Sequence, residues 1–365
     1  MRPLYIMGTE RNVGKTTMSL GLLHAFRHRG LRVGYLKPLG QRFGETQGHV
    51  LHDDARLVAS CFGVRDVAQA DIAVALPSGR VEREVFNPRR AELLGRVMEA
   101  YEKVSAHNDL VVIEGMGHVA MGGCLGLSAG DVCREMGAKA LLISGGGVGK
   151  AIDEIFLCAT FLASRQADLI GVIVNKVWPQ KFTKVKQATT RGLENLGIRS
   201  LGTVPYEEQL AAPTMGQVFE CVGGQLVGGR NHLDHRVKHT IIAAMQSSHM
   251  IHHIKGSTLV ITPGDRSDNI LACMRAHMLG DPTEQAVSGL ILTGDFPSDP
   301  QVLGQVEEFH LPVISVKEDT FTAANKIINT VFKIQPGDRE RIQWAVCLAA
   351  EYVDVDAILE SLKEP

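Results

Sequence analysis

A chain of 365 residues, 45% hydrophobic and 21% charged, is long enough for two ordinary globular domains, each with its own core. Its formal net charge is −2 and its pI about 6.7, and Lys and Arg are interleaved with acids, as in Glu82-Arg83-Glu84, which argues against a nucleic-acid surface. No apolar stretch reaches the roughly 18 residues of a membrane span, and no leader pattern precedes the first strand. The seven cysteines form no CxxC pair, so reduced thiols and a cytoplasmic setting are expected.

Short apolar runs alternate with longer amphipathic ones. Strands are expected at Pro3–Met7, Val33–Lys37, Leu110–Glu114, Ala140–Ser144 and Leu169–Asn175. Helices are expected at Thr16–Arg29, Asp54–Phe62, Arg89–Ala106, Ala151–Ser164 and Phe182–Leu196. Strands separated by helices imply a doubly wound parallel α/β sheet covered on both faces, and Val111-Val112-Ile113 is apolar without alternation, as such a buried strand requires. One more strand near Leu201-Gly202-Thr203-Val204-Pro205 closes the first domain, and Ala211-Ala212-Pro213-Thr214 reads as a linker. A smaller α/β domain follows: Gln225-Leu226-Val227, a helix around Asp234–Met245, then Thr258–Thr262, Asn269–Leu279, Val287–Thr293 and Pro312–Val316. The stretch from Gly337 to Leu362 reads as helical. The expected domains are therefore 1–210, 211–335 and a helical tail, 336–365.

The strongest motif is Gly8-Thr9-Glu10-Arg11-Asn12-Val13-Gly14-Lys15-Thr16-Thr17, which follows a strand and opens a helix. In a P-loop of this kind, successive backbone N–H groups and the helix N-terminus converge on phosphate oxygens. Gly14 lets the backbone approach, Lys15 reaches the terminal phosphates, and the Thr16 hydroxyl ligates Mg²⁺. The interval from Gly8 to Gly14 is one residue longer than usual, which makes this a variant. The alternative is a glycine-rich turn that binds nothing. A second glycine run, Ser144-Gly145-Gly146-Gly147-Val148-Gly149-Lys150-Ala151, lacks the metal-ligating hydroxyl and reads as a loop at the same sheet edge.

Glu114 ends a buried strand and is followed by glycines, the position from which an acid faces the P-loop Mg²⁺. Asp54, at a helix start, is either a second metal carboxylate or a helix cap. Asn175 ends another strand, and its amide suits the edge of an adenine ring or a simple turn. Lys37 stands at a strand tip, either solvated or placed to stabilise a transferring phosphoryl group.

Gly8-Thr9 through Thr16, Tyr35-Leu36-Lys37-Pro38, Asp54-Ala55, Glu114-Gly115 and Asn175 fall in the order seen in dethiobiotin synthetase. The chain more closely resembles the dethiobiotin-synthetase-like N-terminal region of long phosphotransacetylases, which Ser144-Gly145-Gly146, Ile152-Asp153-Glu154-Ile155 and Gly171 to Val177 also match. The resemblance covers roughly residues 1–210 and implies ATP and Mg²⁺ as ligands. Gly8, Thr9, Asn12, Val13, Gly14, Lys15, Thr16 and Thr17 would hold the phosphates, Asn175 the base, and Thr16, Asp54 and Glu114 the metal. Lys37 matches the lysine at the diamine and carbamate end of the synthetase cleft, so Lys15 and Lys37 are the candidate catalytic residues. Arg11, Asn12 and Gln41 depart from the synthetase pattern and argue against dethiobiotin as product.

The second half resembles the DRTGG domain of the same proteins: Pro263-Gly264-Asp265-Arg266-Ser267-Asp268 carries the central motif, with Ser267 and Asp268 departing from it. The acyltransferase domain of phosphotransacetylase is expected to be missing, so that activity is not inherited. Glu10 stands where partitioning ATPases carry a dimer-signalling lysine, which argues against that mode of closure. The expectation is a nucleotide-dependent regulatory module, with an ATP-dependent ligase as the alternative. The expected partners are a second copy of the chain, as a homodimer by family resemblance, and an acyltransferase or other protein. His232, His235, His239, His249, His252 and His253 cluster in sequence, and His235 and His239 would share a helical face, but surface histidines are expected there rather than a metal. Gly264-Asp265-Arg266 fits either an anion site or a helix cap.

Overall fold

The computed structural model describes residues 1–40, 43–46, 49–62, 73–77, 79–279, 286–296, 300–306 and 308–364. Gln41 lies outside the described residues. The chain divides into two units, Met1–Glu207 with Ile334–Pro365, and Glu208–Lys333.

The first unit is built on six strands: β1 (Leu4–Gly8), β2 (Val33–Leu36), β3 (Leu110–Glu114), β4 (Lys139–Ser144), β5 (Asp168–Val177) and β6 (Ser200–Pro205). Their order is β6-β5-β4-β1-β3-β2, with every pair parallel. Tyr5 and Met7 join one core with Val111, Ile113, Ala140, Leu142, Val172 and Val174, while Leu4 and Ile6, of opposite parity, are equally buried. Both faces are covered, which is why these strands read as continuous apolar runs. Parallel strands end at one edge, so the tips of β1, β2, β3 and β5 gather the loop after Gly8, Lys37, Glu114 and Asn175 together.

The helix Lys15–His28 follows the loop after β1. It packs against the helix Arg339–Tyr352 so closely that a Cβ on Gly21 would lie 2.3 Å from Ala349 Cβ and 2.7 Å from the Ala345 carbonyl oxygen. Beyond that helix, Val353 bridges Gly202 on the edge strand β6, and the Asp354 N–H donates to the Leu201 carbonyl at 2.8 Å. A second tail helix, Val355–Ser361, sets Asp356 2.8 Å from Arg29. The C-terminal segment is thus part of the first unit, where it covers an otherwise open strand edge.

The second unit has strands β7 (Gln225–Gly228), β8 (His239–Ile242), β9 (Thr258–Pro263), β10 (Val287–Thr293) and β11 (Val313–Ser315), in the order β7-β11-β10-β9-β8. All pairs are parallel except β7 with β11. Val260, Leu290 and Leu292 pack with Ile270, Cys273 and Met274 on one face, and Leu259, Ile261 and Ile291 pack with Met215, Val218 and Ile327 on the other.

The helix expected around Asp234–Met245 is not formed. That stretch holds β8, paired with β9 from His239↔Thr258 to Ile242↔Ile261. The β-branched run Thr240-Ile241-Ile242 suits a pleated neighbour better than a helix, and sheet pairing prevails over the helical spacing of the flanking residues. His235 and His239 therefore share no helical face: His235 is buried before the strand, and His239 is exposed on it.

Candidate nucleotide site at the carboxyl edge of the sheet

The loop between β1 and the helix Lys15–His28 is shaped by residues with left-handed backbone. Gly14 has φ 97° and Asn12 φ 61°. A side chain at Gly14 would also meet the Asn175 amide nitrogen at 2.2 Å, so glycine is required twice over. The Gly14 position offers the helix no side-chain cap, which leaves the first-turn amides directed out of the helix end, the arrangement that favours an anion. At Gly8 a Cβ would fall 2.8 Å from Lys15 Nζ and would fill the cradle.

Two residues at the end of β5 brace the loop from outside. Asn175 Nδ2 donates to the Val13 carbonyl at 2.8 Å, and Lys176 Nζ donates to the Asn12 carbonyl at 2.6 Å. Tying these carbonyls on the β5 side fixes the peptide planes of the turn. Burial pulls the Lys176 ammonium below its ordinary value, opposed by the Glu10 carboxylate. Gly145, in the second glycine run, lies beside the same carboxylate, with its Cβ position 3.6 Å from Glu10 Oε1.

The buried Lys15 ammonium donates to the Gly117 carbonyl at 2.7 Å and the Glu10 carbonyl at 3.1 Å. The Thr16 hydroxyl donates to Glu114 Oε1 at 2.9 Å. Lys37 Nζ reaches the same Glu114 oxygen and Asp54 Oδ2, each at 2.8 Å, with all three side chains at most 5% exposed. On the far side of the carboxylate, the Tyr35 hydroxyl donates to Glu114 Oε2 at 3.0 Å. Burial opposes the charge on Lys37, but Glu114 and then Asp54 outweigh it and hold the ammonium protonated above its usual range. Burial, then the charges of Glu114 and Asp54, raise the Tyr35 phenol well above its usual value, so it stays a donor.

The structure therefore brings Lys15, Thr16, Lys37, Asp54 and Glu114 into one network and sets Asn175 against the loop itself. Asp54 belongs to the first turn of the helix Asp53–Phe62, and its carboxylate engages Lys37. Val13 and Thr9 are buried, and Thr17 is half-buried. Tyr35 and Lys176 stand inside the motifs of the family resemblance, but the sequence assigns neither of them a role in the site. A tyrosine inside an apolar strand looks like core, and only its place two residues before Lys37 on β2 hinted at the shared carboxylate.

Two observations fit a phosphate and a hard cation to this edge. The Thr9 hydroxyl is buried with no hydrogen-bond partner among the described residues, a cost of about 1–3 kcal/mol that a phosphate oxygen would relieve. Two carboxylates and a hydroxyl form an oxygen donor set suited to Mg²⁺, which takes its remaining ligands from phosphate and water. Among the described residues no group of three or more His, Cys, Asp or Glu is placed to hold a metal ion by itself.

Residues 2–214, more than half the chain, match the AAA domain family, and residues 217–331 match the DRTGG domain family. The chain is 29% identical over 370 residues to a phosphate acetyltransferase of Pseudomonas putida, covering 97% of this chain and 51% of that protein. It is 27% identical to the phosphate acetyltransferase of Pseudomonas aeruginosa, covering 100% of this chain and 53% of that protein. The chain spans about half the length of the curated relatives it matches. Among solved structures, the MinC:MinD cell division complex of Aquifex aeolicus overlaps 57% of this chain and 84% of that chain at 16% identity and TM-score 0.37. The CBS and DRTGG domains of a Clostridium perfringens pyrophosphatase, complexed with diadenosine tetraphosphate, overlap 36% of this chain and 52% of that chain at 21% identity and TM-score 0.28. These are likenesses of fold only. The chain belongs to the AAA domain family of P-loop proteins and joins that domain to a DRTGG domain, the architecture of the phosphotransacetylase N-terminal region.

Proposed function

We propose that the chain is an Mg-ATP-binding regulatory module. The observation that carries this reading is the convergence of the Lys15 loop, the Thr16 hydroxyl and the Asp54–Lys37–Glu114 network at one sheet edge. Loop amides and Lys15 would hold the phosphates, Asn175 would turn to the base, and Thr16, Asp54 and Glu114 would hold the ion. Bound Mg²⁺ would supply charge neutralisation of the phosphates. What the protein's own groups do is orient the triphosphate and exclude water from the buried carboxylates.

Regulation is supported by the packing of the phosphate-loop helix. Through Gly21 it touches Ala345 and Ala349, on the helix that begins shortly after the chain re-enters this unit at Ile334. A shift of the loop helix on nucleotide binding would reach that re-entry. The responding partner in this reading is the DRTGG unit or an acyltransferase, and the working form is a cytoplasmic homodimer. Hydrogen exchange on the intact chain tests it: Mg-ATP should protect both Lys15–His28 and Arg339–Tyr352, and should do so no longer in Lys15→Ala. Protection confined to neither helix would count against the module.

The alternative, an ATP-dependent ligase that activates a carboxylate or carbamate, rests on the buried Lys37 beside the loop, where a cation can stabilise a transferring phosphoryl group. ADP release against a library of carboxylates and amines separates the two. If no candidate gives turnover that Lys37→Ala abolishes, the ligase reading is lost.

A further inference from the structure

A cavity of about 270 Å³ in the first unit is lined by three arginines that come from three separate elements. Arg90 opens the helix Arg90–Ser105, Arg134 lies in the helix Ala129–Glu135, and Arg165 follows the helix Gly149–Ser164. Glycines seat two of them. Gly126 has φ 67°, its carbonyl accepts from Arg90 Nε at 3.0 Å, and a Cβ there would fall 2.7 Å from Arg90 Cδ. A Cβ on Gly130 would lie 3.1 Å from Arg165 Cβ and 3.4 Å from the ring of Phe161. The Arg165 guanidinium sits over that ring, 5.4 Å from its centroid. Carboxylates answer these cations only in part. Asp131, in the wall, accepts the Ser128 hydroxyl at 2.5 Å and the Ser128 N–H at 3.1 Å, and stands 3.6 Å from Arg165. Glu135, which does not line the cavity, takes one edge of Arg134 at 2.5 Å. Arg90 has no carboxylate partner among the described residues, where only its Nε is bonded.

We propose that this cavity binds a small polyanion with carboxylate or phosphate ends, held by the guanidiniums of Arg90, Arg134 and Arg165. A guanidinium is a planar fork of donors that matches the paired oxygens of either group, and it stays charged at any working pH. Three forks reach the cavity from three elements, so the ligand that uses them carries anionic groups at more than one end. Phe161 supplies an apolar wall for a short carbon skeleton. The volume lies just below the roughly 300–1,000 Å³ of drug-sized pockets, which suits a compact anion rather than a nucleotide. Lys15, Thr16, Lys37 and Glu114 do not line the cavity, so the site stands apart from the nucleotide reading. The three arginines are exposed, so salt should screen their attraction for the ligand.

The test is calorimetry of the intact chain in chelator, with citrate as the carboxylate probe and pyrophosphate as the phosphate probe. At least one of them should bind once per chain, with an affinity that falls as salt is raised. Citrate binding alone assigns a carboxylate ligand, and pyrophosphate binding alone a phosphate one. Arg90→Gln and Arg165→Gln should each keep the fold by circular dichroism and weaken binding about tenfold or more, the loss expected for a hydrogen bond to a charged group. Arg96→Gln, exposed further along the helix that Arg90 opens, should change nothing. The proposal is overturned by either of two results: no heat from either probe at millimolar concentration, or undiminished binding in the Arg90→Gln/Arg165→Gln double variant. Binding that Lys15→Ala removes instead belongs to the phosphate loop and overturns it equally.

Discussion

The Lys37 ammonium lies 2.8 Å from Glu114 Oε1, the oxygen that also accepts the Thr16 hydroxyl. Lys37 thus sits between the two carboxylates proposed for the ion and offsets part of their charge in the free protein. Removing its charge takes one cation away from the buried carboxylates of Asp54 and Glu114, a loss on the order of 3–5 kcal/mol. Lys37→Met should therefore melt well below the parent, and millimolar Mg²⁺ or Mn²⁺ alone should restore much of the loss. The parent should respond far less to the metal without nucleotide. Thermal melts with and without metal check this, and a Lys37→Met protein indifferent to both ions would contradict it.

Lys15 and Thr16 separate phosphate from metal. A charge-assisted contact to phosphate contributes about 1.5–3 kcal/mol, so Lys15→Ala should weaken nucleotide binding roughly 10- to 100-fold with or without Mg²⁺. Thr16→Ala should weaken it only when Mg²⁺ is present. Fluorescent-nucleotide titrations in magnesium and in chelator measure both.

Tyr35→Phe removes the donor to Glu114 Oε2 and leaves a buried carboxylate oxygen short of a partner. The expected loss is about 1–3 kcal/mol in urea unfolding. Thr16→Ala also removes a bond to Glu114, so the two losses should not add in the double variant.

Stability should depend on pH through the second unit. Burial lowers the His235 and His277 imidazoles below their ordinary value, only partly offset by the carbonyls they face, and neighbouring imidazoles lower them further. The unfolded chain then binds more protons than the folded one as pH falls through about 6.5, so stability present above that value is lost below it. Urea unfolding at pH 8 should exceed that at pH 5.5, and His277→Gln should flatten the difference. An opposite slope would contradict the assignment.

Much of the site was legible because a parallel sheet delivers its strand tips to one edge. Lys15, Thr16, Lys37 and Glu114 each stand at a strand or helix boundary visible in the pattern. Asp54, which local sequence leaves open between a metal carboxylate and a helix cap, engages Lys37. Three features were hidden. Tyr35 and Lys176 act through bonds to groups far away in sequence, Glu114 and Asn12, that local pattern does not register. The stretch 234–245 has helical spacing of polar residues, but its strand is decided by pairing with β9. The return of the tail onto the helix Lys15–His28 depends on which small residues face each other, Gly21 against Ala345 and Ala349, and no single segment announces that.

Isothermal calorimetry of the intact chain with Mg-ATP addresses the central claim most directly. One site per chain is expected, weakened roughly 10- to 100-fold in Lys15→Ala and weakened also when magnesium is chelated. Heats no larger than dilution at millimolar Mg-ATP, from protein shown to be folded, would contradict it.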